Sequence, residues 1–222
     1  MSDTKTSSLS GYAIWLMPSA NEKLHYQHLI NRLSKLYNET ICQKDEDEGR
    51  TRGSASPSFE PHITLFAFIP LDTPVGEISN TLRQVVARVT GSGLSSLGGG
   101  GHFALGLLPA QSGRSYFQSV LAPVQPTAEL LSLYDQTVAA FPPASPSSSP
   151  DEKKKKKGGY FPHLSLFYGD CSLAKRDEIA AIANGEDPCL GSGQATVTIN
   201  ELGIVKCAGE VEEWQLVESI VL

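Results

Sequence analysis

The chain has 222 residues and a formal net charge of −6, and 40% of its residues are hydrophobic. A chain of this length can bury a substantial core, and its composition is ordinary for a soluble globular protein. Proteins that grip long nucleic acids carry a basic surface, so the acidic balance disfavours binding along a duplex or a long RNA.

The cysteines are scattered, at Cys42, Cys171, Cys189 and Cys207, and none form a CxxC pair. A disulfide scaffold would be denser, which makes reduced thiols in a cytosol-like compartment the default. The N-terminal residues lack the basic region and apolar run of a signal peptide, and no segment approaches the ~18 apolar residues needed to span a bilayer. We therefore expect a soluble, cytoplasmic protein without membrane insertion. Nothing indicates a coiled coil, so we expect a monomer.

Hydrophobic patterning in the first half of the chain alternates between strand and helix. Pro18 stops a short apolar run, and Asn21 is placed to cap the amphipathic segment that follows. The predicted elements of this half are a strand at 12–17, a helix capped by Asn21, a solvated loop at 43–58, a strand at 62–68 and a helix at 75–89.

A Gly-rich connection at residues 91–101 leads into the second half. Residues 142–159, PPASPSSSPDEKKKKKGG, hold almost no apolar surface, and we expect them to be disordered, with the lysine run as a solvated loop. The predicted elements of this half are strands at 103–108 and 115–121, a helix at 127–141, a strand at 160–169, a helix from the Ser172 cap to Asn184, and strands at 196–207 and 211–221.

The order of the predicted elements is β-α-β-α-β-β-α-β-α-β-β. Helices interspersed with hairpins favour an α+β fold with mainly antiparallel sheets over a doubly wound parallel sheet. We expect a single domain over residues 1–222, in which 43–58 and 142–159 are disordered loop insertions.

An internal repeat is the most informative feature of the sequence. Residues 61–66 read PHITLF and residues 162–167 read PHLSLF, with identical Pro, His, Leu and Phe. Both copies are strand-like, and both follow a polar loop. The repeat predicts a duplicated, two-lobed fold with a central cleft to which each half contributes the same chemical unit.

Strand geometry turns this repeat into a prediction of chemistry. Successive side chains of a strand point to opposite faces, so His62 and Thr64 share one face, as His163 and Ser165 do. A neutral imidazole can take a proton from water while an imidazolium donates one to a departing oxygen. The hydroxyls can donate hydrogen bonds to phosphate oxygens. Together they suit phosphodiester hydrolysis without a metal.

A single His-x-Thr/Ser-Leu motif is a weak signal, but two copies with matching flanks are a strong one. A duplication without chemistry would favour apolar residues on the packed face instead of imidazoles and hydroxyls.

The paired motifs resemble those of the 2H phosphoesterase superfamily. Within it, the chain looks like the fungal and plant cyclic phosphodiesterases, and the resemblance spans nearly the whole chain apart from the acidic loop and the lysine segment. The segments that carry it are YAIWLMP (12–18), EPHITL (60–65), YFQSVLAPV (116–124) and PHLSLFYGD (162–170).

This resemblance implies an enzyme without cofactor that converts nucleoside 2′,3′-cyclic phosphates to nucleoside 2′-phosphates. It also implies the opening of ADP-ribose 1″,2″-cyclic phosphate, a by-product of tRNA splicing, to the 1″-phosphate. The expected partner is a small cyclic-phosphate nucleotide and not a stably bound nucleic acid. The fungal resemblance also leaves a Golgi-associated location open.

Carried over to this sequence, the resemblance makes His62 and His163 catalytic and Thr64, Ser165 and Tyr168 phosphate ligands. We expect His163 to activate water and His62 to protonate the leaving 3′-oxygen, although the symmetry of the site leaves the reverse assignment open. Tyr168 lies an odd number of residues after His163, so an ideal strand would turn it away. Its participation requires a bulge or a bend.

Three aromatic residues are candidates for stacking on the nucleobase. Trp15 matches an aromatic position in the family's first strand, and Tyr116 or Phe117 matches a base-stacking position. An aromatic ring holds any base, because every base has a π-face. Ordinary core packing is the alternative for each of the three.

Two other functions are compatible with the sequence. One is the processing of RNA ends, in which the protein would act on oligonucleotides like an RNA-processing relative. The net negative charge disfavours this function. The other is a non-catalytic nucleotide-binding module. Binding alone needs neither a proton donor nor a proton acceptor, so the paired histidines count against this module.

Overall fold

A computed structural model of the chain describes residues 10–41, 55–91, 102–142 and 159–222. Its strands are β1 (Gly11–Pro18), β2 (Ile63–Ile69), β3 (Phe103–Gly106), β4 (Gln111–Ser112), β5 (Val120–Pro123), β6 (His163–Phe167), β7 (Thr196–Cys207) and β8 (Gln215–Val221). Its α-helices are α1 (Ala20–Leu36), α2 (Val75–Gly91), α3 (Ala128–Ala140), α4 (Leu173–Glu186) and α5 (Pro188–Gly191), and a π-helical turn, Tyr37–Ile41, continues α1.

The strands form one antiparallel sheet in the order β3-β7-β1-β2-β6-β5-β4, with β8 also paired to β7. Strands β1, β2, β3, β7 and β8 make one lobe, and β4, β5 and β6 make the other. Helix α1 packs against β6 and α4, and α2 packs against α3. The prediction of a two-lobed α+β fold with antiparallel sheets is confirmed.

The two motif strands bury their aliphatic faces. Ile63, Leu65, Leu164 and Leu166 are each at most 1% exposed and belong to the main hydrophobic core. Burying an aliphatic side chain of this size stabilises a fold by roughly 1.5–3 kcal/mol. A slip of either strand by one residue would expose these side chains and bury the polar face. Aliphatic burial therefore fixes which way the histidines point.

The predicted N-cap of the first helix is wrong by two residues. Ser19, and not Asn21, occupies the N-cap position, and α1 begins at Ala20. The carboxylate of Glu22 accepts hydrogen bonds from the Ser19 hydroxyl at 2.5 Å and from the backbone N–H of Thr198 at 2.9 Å. A contact with distant β7 thus fixes the first turn, and the local sequence does not reveal it.

The predicted strand at 115–121 is wrong in its first half. Tyr116–Gln118 form a 3₁₀ turn, and β5 begins only at Val120. The hydroxyl of Ser119 donates to the carbonyls of Ser115 and Tyr116, at 3.2 and 3.0 Å. Local hydrogen bonds of this kind compete with a strand ladder, and they override the strand preference of the aromatic residues.

The last predicted strand also begins later than expected. Val211–Glu213 form a 3₁₀ turn closed by a capping box between Glu210 and Glu213, and β8 follows from Gln215. The Ser172 cap of α4 is confirmed, but α4 passes through Gly185 instead of ending there. The short elements β4 and α5 were not predicted.

The predicted loop insertions fall largely outside the described residues. Of the segment 43–58 only residues 55–58 are described, and of 142–159 only the two end residues; these have neither helix nor strand. The Gly-rich connection is described only at residue 91, the last of α2. The disorder of these segments therefore stays a prediction. Among the described helices, none combines the length and the apolar character needed to cross a membrane.

Candidate active site

The two lobes join where β2 meets β6. These strands pair at a single antiparallel position, Ile63 opposite Leu164. Beyond that point β2 continues along β1 and β6 continues along β5. The lobes therefore diverge from the motifs, and a cleft opens between them.

The register of that pair places the histidine of each motif opposite the hydroxyl residue of the other motif. One step along each strand, His62 lies opposite Ser165 and Thr64 lies opposite His163, on the face away from the aliphatic core. All of them line one cavity of about 240 Å³. The sequence predicted convergence of the two motifs. The structure adds that each hydroxyl lies across from the histidine of the other motif.

Both imidazoles are held in the same way. Nδ1 of His62 lies 2.5 Å from the carbonyl oxygen of Glu60, and Nδ1 of His163 lies 2.9 Å from that of Phe161. A carbonyl oxygen can only accept, so each Nδ1 carries a hydrogen and donates it. In each motif the carbonyl belongs to the residue before the proline, a position that favours extended backbone. Nε2 is therefore the atom that each histidine has available for proton transfer.

The two histidines differ in burial. His62 is 3% exposed, whereas His163 is only partly buried. Burial lowers the pKa of His62 from 6.5 to about 4; the hydrogen bond to the Glu60 carbonyl opposes this fall, and the nearby His163 adds to it. Burial also lowers the pKa of His163, against the effect of its hydrogen bond to Phe161. In the free protein His62 is neutral at pH 7. A phosphate anion between the rings raises both pKa values.

Trp15 covers His62. The two rings lie parallel, with centroids 3.5 Å apart and an interplanar angle of 6°. Trp15 lies opposite Thr64 in the β1–β2 register, lines the cavity and is 4% exposed. One face of its indole is thus occupied by His62, which fixes that imidazole in place. The ring of Trp214 also lies 6.1 Å from that of Trp15, and the predicted stacking of Trp15 on a nucleobase stays a prediction.

The other two stacking candidates differ from each other. Phe117 lines the cavity, whereas Tyr116 is not among the described residues that do. The Tyr116 ring lies beside Phe117 and Tyr168, at centroid distances of 5.0 and 6.2 Å. Phe117 is therefore placed to meet a ligand, and Tyr116 is placed to support its neighbours.

The bulge that Tyr168 requires is present in β6. Val120 pairs with Phe167 and Leu121 with Ser165, so β6 has one extra residue against β5. Past this bulge Tyr168 lines the cavity and is 3% exposed. Burial raises the pKa of the Tyr168 phenol, and a hydrogen bond with Ser165 opposes the rise. The phenol stays protonated and can donate a hydrogen bond.

Sequence reasoning missed a pair of supporting aromatic residues. Phe59 stacks on Tyr168, with centroids 3.8 Å apart and an interplanar angle of 13°. The hydroxyl of Tyr160 donates to the carbonyl oxygen of Thr64 at 3.1 Å. Each lies three residues before a motif histidine, and each contacts the motif of the other half. This common offset was a signal visible in the sequence.

The chemistry of the site rests on proton transfer and hydrogen bonding. Its lining offers two imidazoles and the hydroxyls of Thr64, Ser165 and Tyr168. In the part of the chain that the structure describes, no three His, Cys, Asp or Glu side chains lie close enough together to hold a metal ion. The arrangement can bind a phosphate and exchange protons with it.

The family model described as cyclic phosphodiesterase-like protein matches residues 10–222. The chain belongs to the cyclic phosphodiesterase-like family. This confirms the resemblance to the 2H phosphoesterases. A curated relative from Yarrowia lipolytica, named 2′,3′-cyclic-nucleotide 3′-phosphodiesterase, is 25% identical over 233 residues, which cover 93% of this chain and 97% of the relative. As a member of this family, the chain is a phosphoesterase of the class that acts on cyclic phosphates.

Two solved structures are similar to the chain at low sequence identity. E. coli LigT complexed with 3′-AMP matches with a TM-score of 0.50 and 10% identity, covering 97% of this chain and 99% of LigT. Kluyveromyces marxianus Usb1 matches with a TM-score of 0.47 and 11% identity, covering 97% of this chain and 98% of Usb1. The likeness to LigT is consistent with the two-lobed fold described above.

Proposed function

We propose that this protein hydrolyses nucleoside 2′,3′-cyclic phosphates to nucleoside 2′-phosphates, with His62 and His163 as acid and base and no metal. The crossed register of β2 and β6 is the observation that carries the proposal, because it brings two imidazoles and two hydroxyls to one cavity. The name of the Yarrowia relative supports the same substrate class.

The unequal burial of the histidines supports different catalytic roles for the two residues. His163 is the more accessible imidazole, so water can reach it, and its Nε2 takes the proton as the water oxygen attacks phosphorus. His62 is covered by Trp15, so its Nε2 meets the substrate and not bulk water. The bound phosphate raises the pKa of His62 and charges it. As the bond from phosphorus to the 3′-oxygen breaks, His62 gives its proton to that oxygen.

The hydroxyls hold the phosphate during this displacement. Thr64, Ser165 and Tyr168 line the same cavity and can donate hydrogen bonds to its non-bridging oxygens. Donors aimed at the place where charge gathers stabilise the transition state more than the ground state. Release of the 2′-phosphate and of one proton to solvent returns the site to its starting state.

The same site suits ADP-ribose 1″,2″-cyclic phosphate, which presents a five-membered cyclic phosphate on a ribose. We include its opening to ADP-ribose 1″-phosphate, downstream of tRNA splicing, in the proposal. This part of the proposal rests on the family resemblance.

Phosphorus NMR of the EDTA-treated protein with 2′,3′-cyclic AMP tests the proposal. We expect the 2′-phosphate as sole product, at a rate that added EDTA does not change. Formation of the 3′-phosphate would overturn the leaving-group assignment. Inhibition by EDTA that added metal reverses would contradict the mechanism. A cyclic phosphate at the end of an oligonucleotide serves as comparison, and faster turnover of it would favour RNA-end processing.

A further inference from the structure

Phe68 is an exposed aromatic residue at the edge of the catalytic cavity. It lies near the end of β2, six residues after His62, and 66% of it is exposed. It lines the catalytic cavity and also the neighbouring groove beside α2 and α3. The sequence placed it within a predicted strand and gave it no role.

The backbone of Phe68 is strained. Its φ is +70°, the one positive value for a non-glycine residue among the described residues. A bulky L-residue in this region is a genuine outlier, and its conformation is energetically unfavourable. Because the ring is largely exposed, its packing does not offset this strain. Strain of this kind concentrates at ligand clamps and active sites.

A bulge in β2 produces this conformation. Tyr12 pairs with Ile69 and Ile14 with Phe66, so two residues of β2 lie across from one of β1. Gly11 makes room for the displaced backbone, because a Cβ there would lie 3.1 Å from the Phe68 Cα. The bulge in β2 and the glycine in β1 therefore both accommodate the backbone of Phe68.

The other aromatic residues of the cavity have less surface to offer a ligand. Trp15 and Tyr168 are 4% and 3% exposed and are stacked on His62 and Phe59. Phe117 and Trp214 are each partly buried and stack on each other, with ring centroids 5.7 Å apart. A base can stack only on a ring with an open face, and Phe68 has one. Phe68 also lines the same cavity as His62 and His163, so a ligand whose phosphate meets the histidines can reach it.

We propose that Phe68 is the platform on which the planar base of the substrate stacks, and that the strained bulge holds it there. This rests on the proposed function, since the substrate must carry both a cyclic phosphate and a base. Stacking on an aromatic ring tolerates any base, which predicts weak discrimination among the four nucleotides.

Comparison of two substrates tests this role. One is 2′,3′-cyclic AMP, and the other is 1-O-methylribose 2,3-cyclic phosphate, which has no base. In Phe68→Ala we expect KM for the nucleotide to rise about 5- to 150-fold with little change in kcat, and KM for the base-free compound to stay unchanged. Phe68→Tyr and Phe68→Trp should keep KM close to that of the wild type.

The variant Phe68→Gly tests the role of the aromatic ring separately from the backbone strain. Glycine adopts positive φ without penalty, so this variant should unfold at a higher temperature than Phe68→Ala while it loses the same nucleotide affinity. Leu24→Ala is the matched control, since Leu24 is 59% exposed on α1 and is not among the described cavity residues. It should leave both KM values unchanged.

The outcomes distinguish the two proposals. Unchanged KM for the nucleotide in Phe68→Ala and Phe68→Gly, or an equal rise for both substrates, would overturn the role of Phe68 and leave the proposed function intact. A wild type that hydrolyses neither compound would overturn the proposed function and the platform with it.

Discussion

The strand that carries His62 and the strand that carries His163 present the same chemistry in different surroundings. Each imidazole donates through Nδ1 to the carbonyl two residues earlier. His62, however, is stacked at 3.5 Å on a buried indole, whereas the ring beside His163, Phe161, is 5.5 Å away and 49% exposed. Duplication thus supplies two equivalent groups, and unequal burial makes them unequal in pKa and in access to water.

The largest predicted effect is loss of turnover when either imidazole is removed. His62→Ala and His163→Ala should each lower kcat by about 10²–10⁴, because each removes one partner of a proton-transfer pair. Steady-state kinetics with 2′,3′-cyclic AMP measures this, and circular dichroism confirms the fold. Near-normal activity in either variant would end the two-histidine mechanism.

The difference in burial should also appear in stability. The pKa of His62 is about 4 in the folded protein and 6.5 unfolded. Between pH 4 and pH 6.5 the unfolded state therefore binds more protons than the folded state. The contribution of His62 to the free energy of unfolding is complete above pH 6.5 and is lost as the pH falls toward 4. His62 alone should remove roughly 3 kcal/mol from the free energy of unfolding across this window.

Urea unfolding at pH 7 and pH 4.5 checks this expectation in His62→Gln. The variant should lose less stability on acidification than the wild type, and the matched His163→Gln should resemble the wild type more closely. Equal acid sensitivity of all three proteins would show that His62 is not buried as a neutral ring.

Removal of a hydroxyl should have a smaller effect. Thr64→Ala and Ser165→Ala should each lower transition-state stabilisation by about 1–3 kcal/mol, the value of a hydrogen bond to a charged group. Thr64→Ser and Ser165→Thr keep the hydroxyl and serve as controls. If Ala and the hydroxyl-retaining variants lose the same activity, the hydroxyls do not bind phosphate.

The smallest predicted effect concerns the link between the halves. Tyr160→Phe removes the hydroxyl that donates to the carbonyl of Thr64 and keeps the ring that stacks on Tyr134 at 4.0 Å. We expect a loss of about 0.5–1.5 kcal/mol in stability, measured by urea unfolding. Unchanged stability would show that this hydrogen bond does not join the halves.

The sequence predicts the motifs well because strand alternation is a local property. The faces of His62 and Thr64, and the need for a bulge before Tyr168, follow from a period of two. The crossed pairing with the second motif does not, because it depends on the register between strands some hundred residues apart. The Trp15–His62 stack and the strained Phe68 depend on the pairing of β1 with β2 and are equally invisible in one sequence.

The most direct test of the paired acid and base uses a substrate whose leaving group needs no proton. In a nucleoside 2′,3′-cyclic phosphate with sulfur at the 3′-position, the leaving thiolate is stable, since thiols have a pKa of about 8.5. We predict that His62→Ala hydrolyses this compound at nearly the wild-type rate and that His163→Ala stays impaired. Equal impairment of both variants, or rescue of His163→Ala alone, would contradict the assignment.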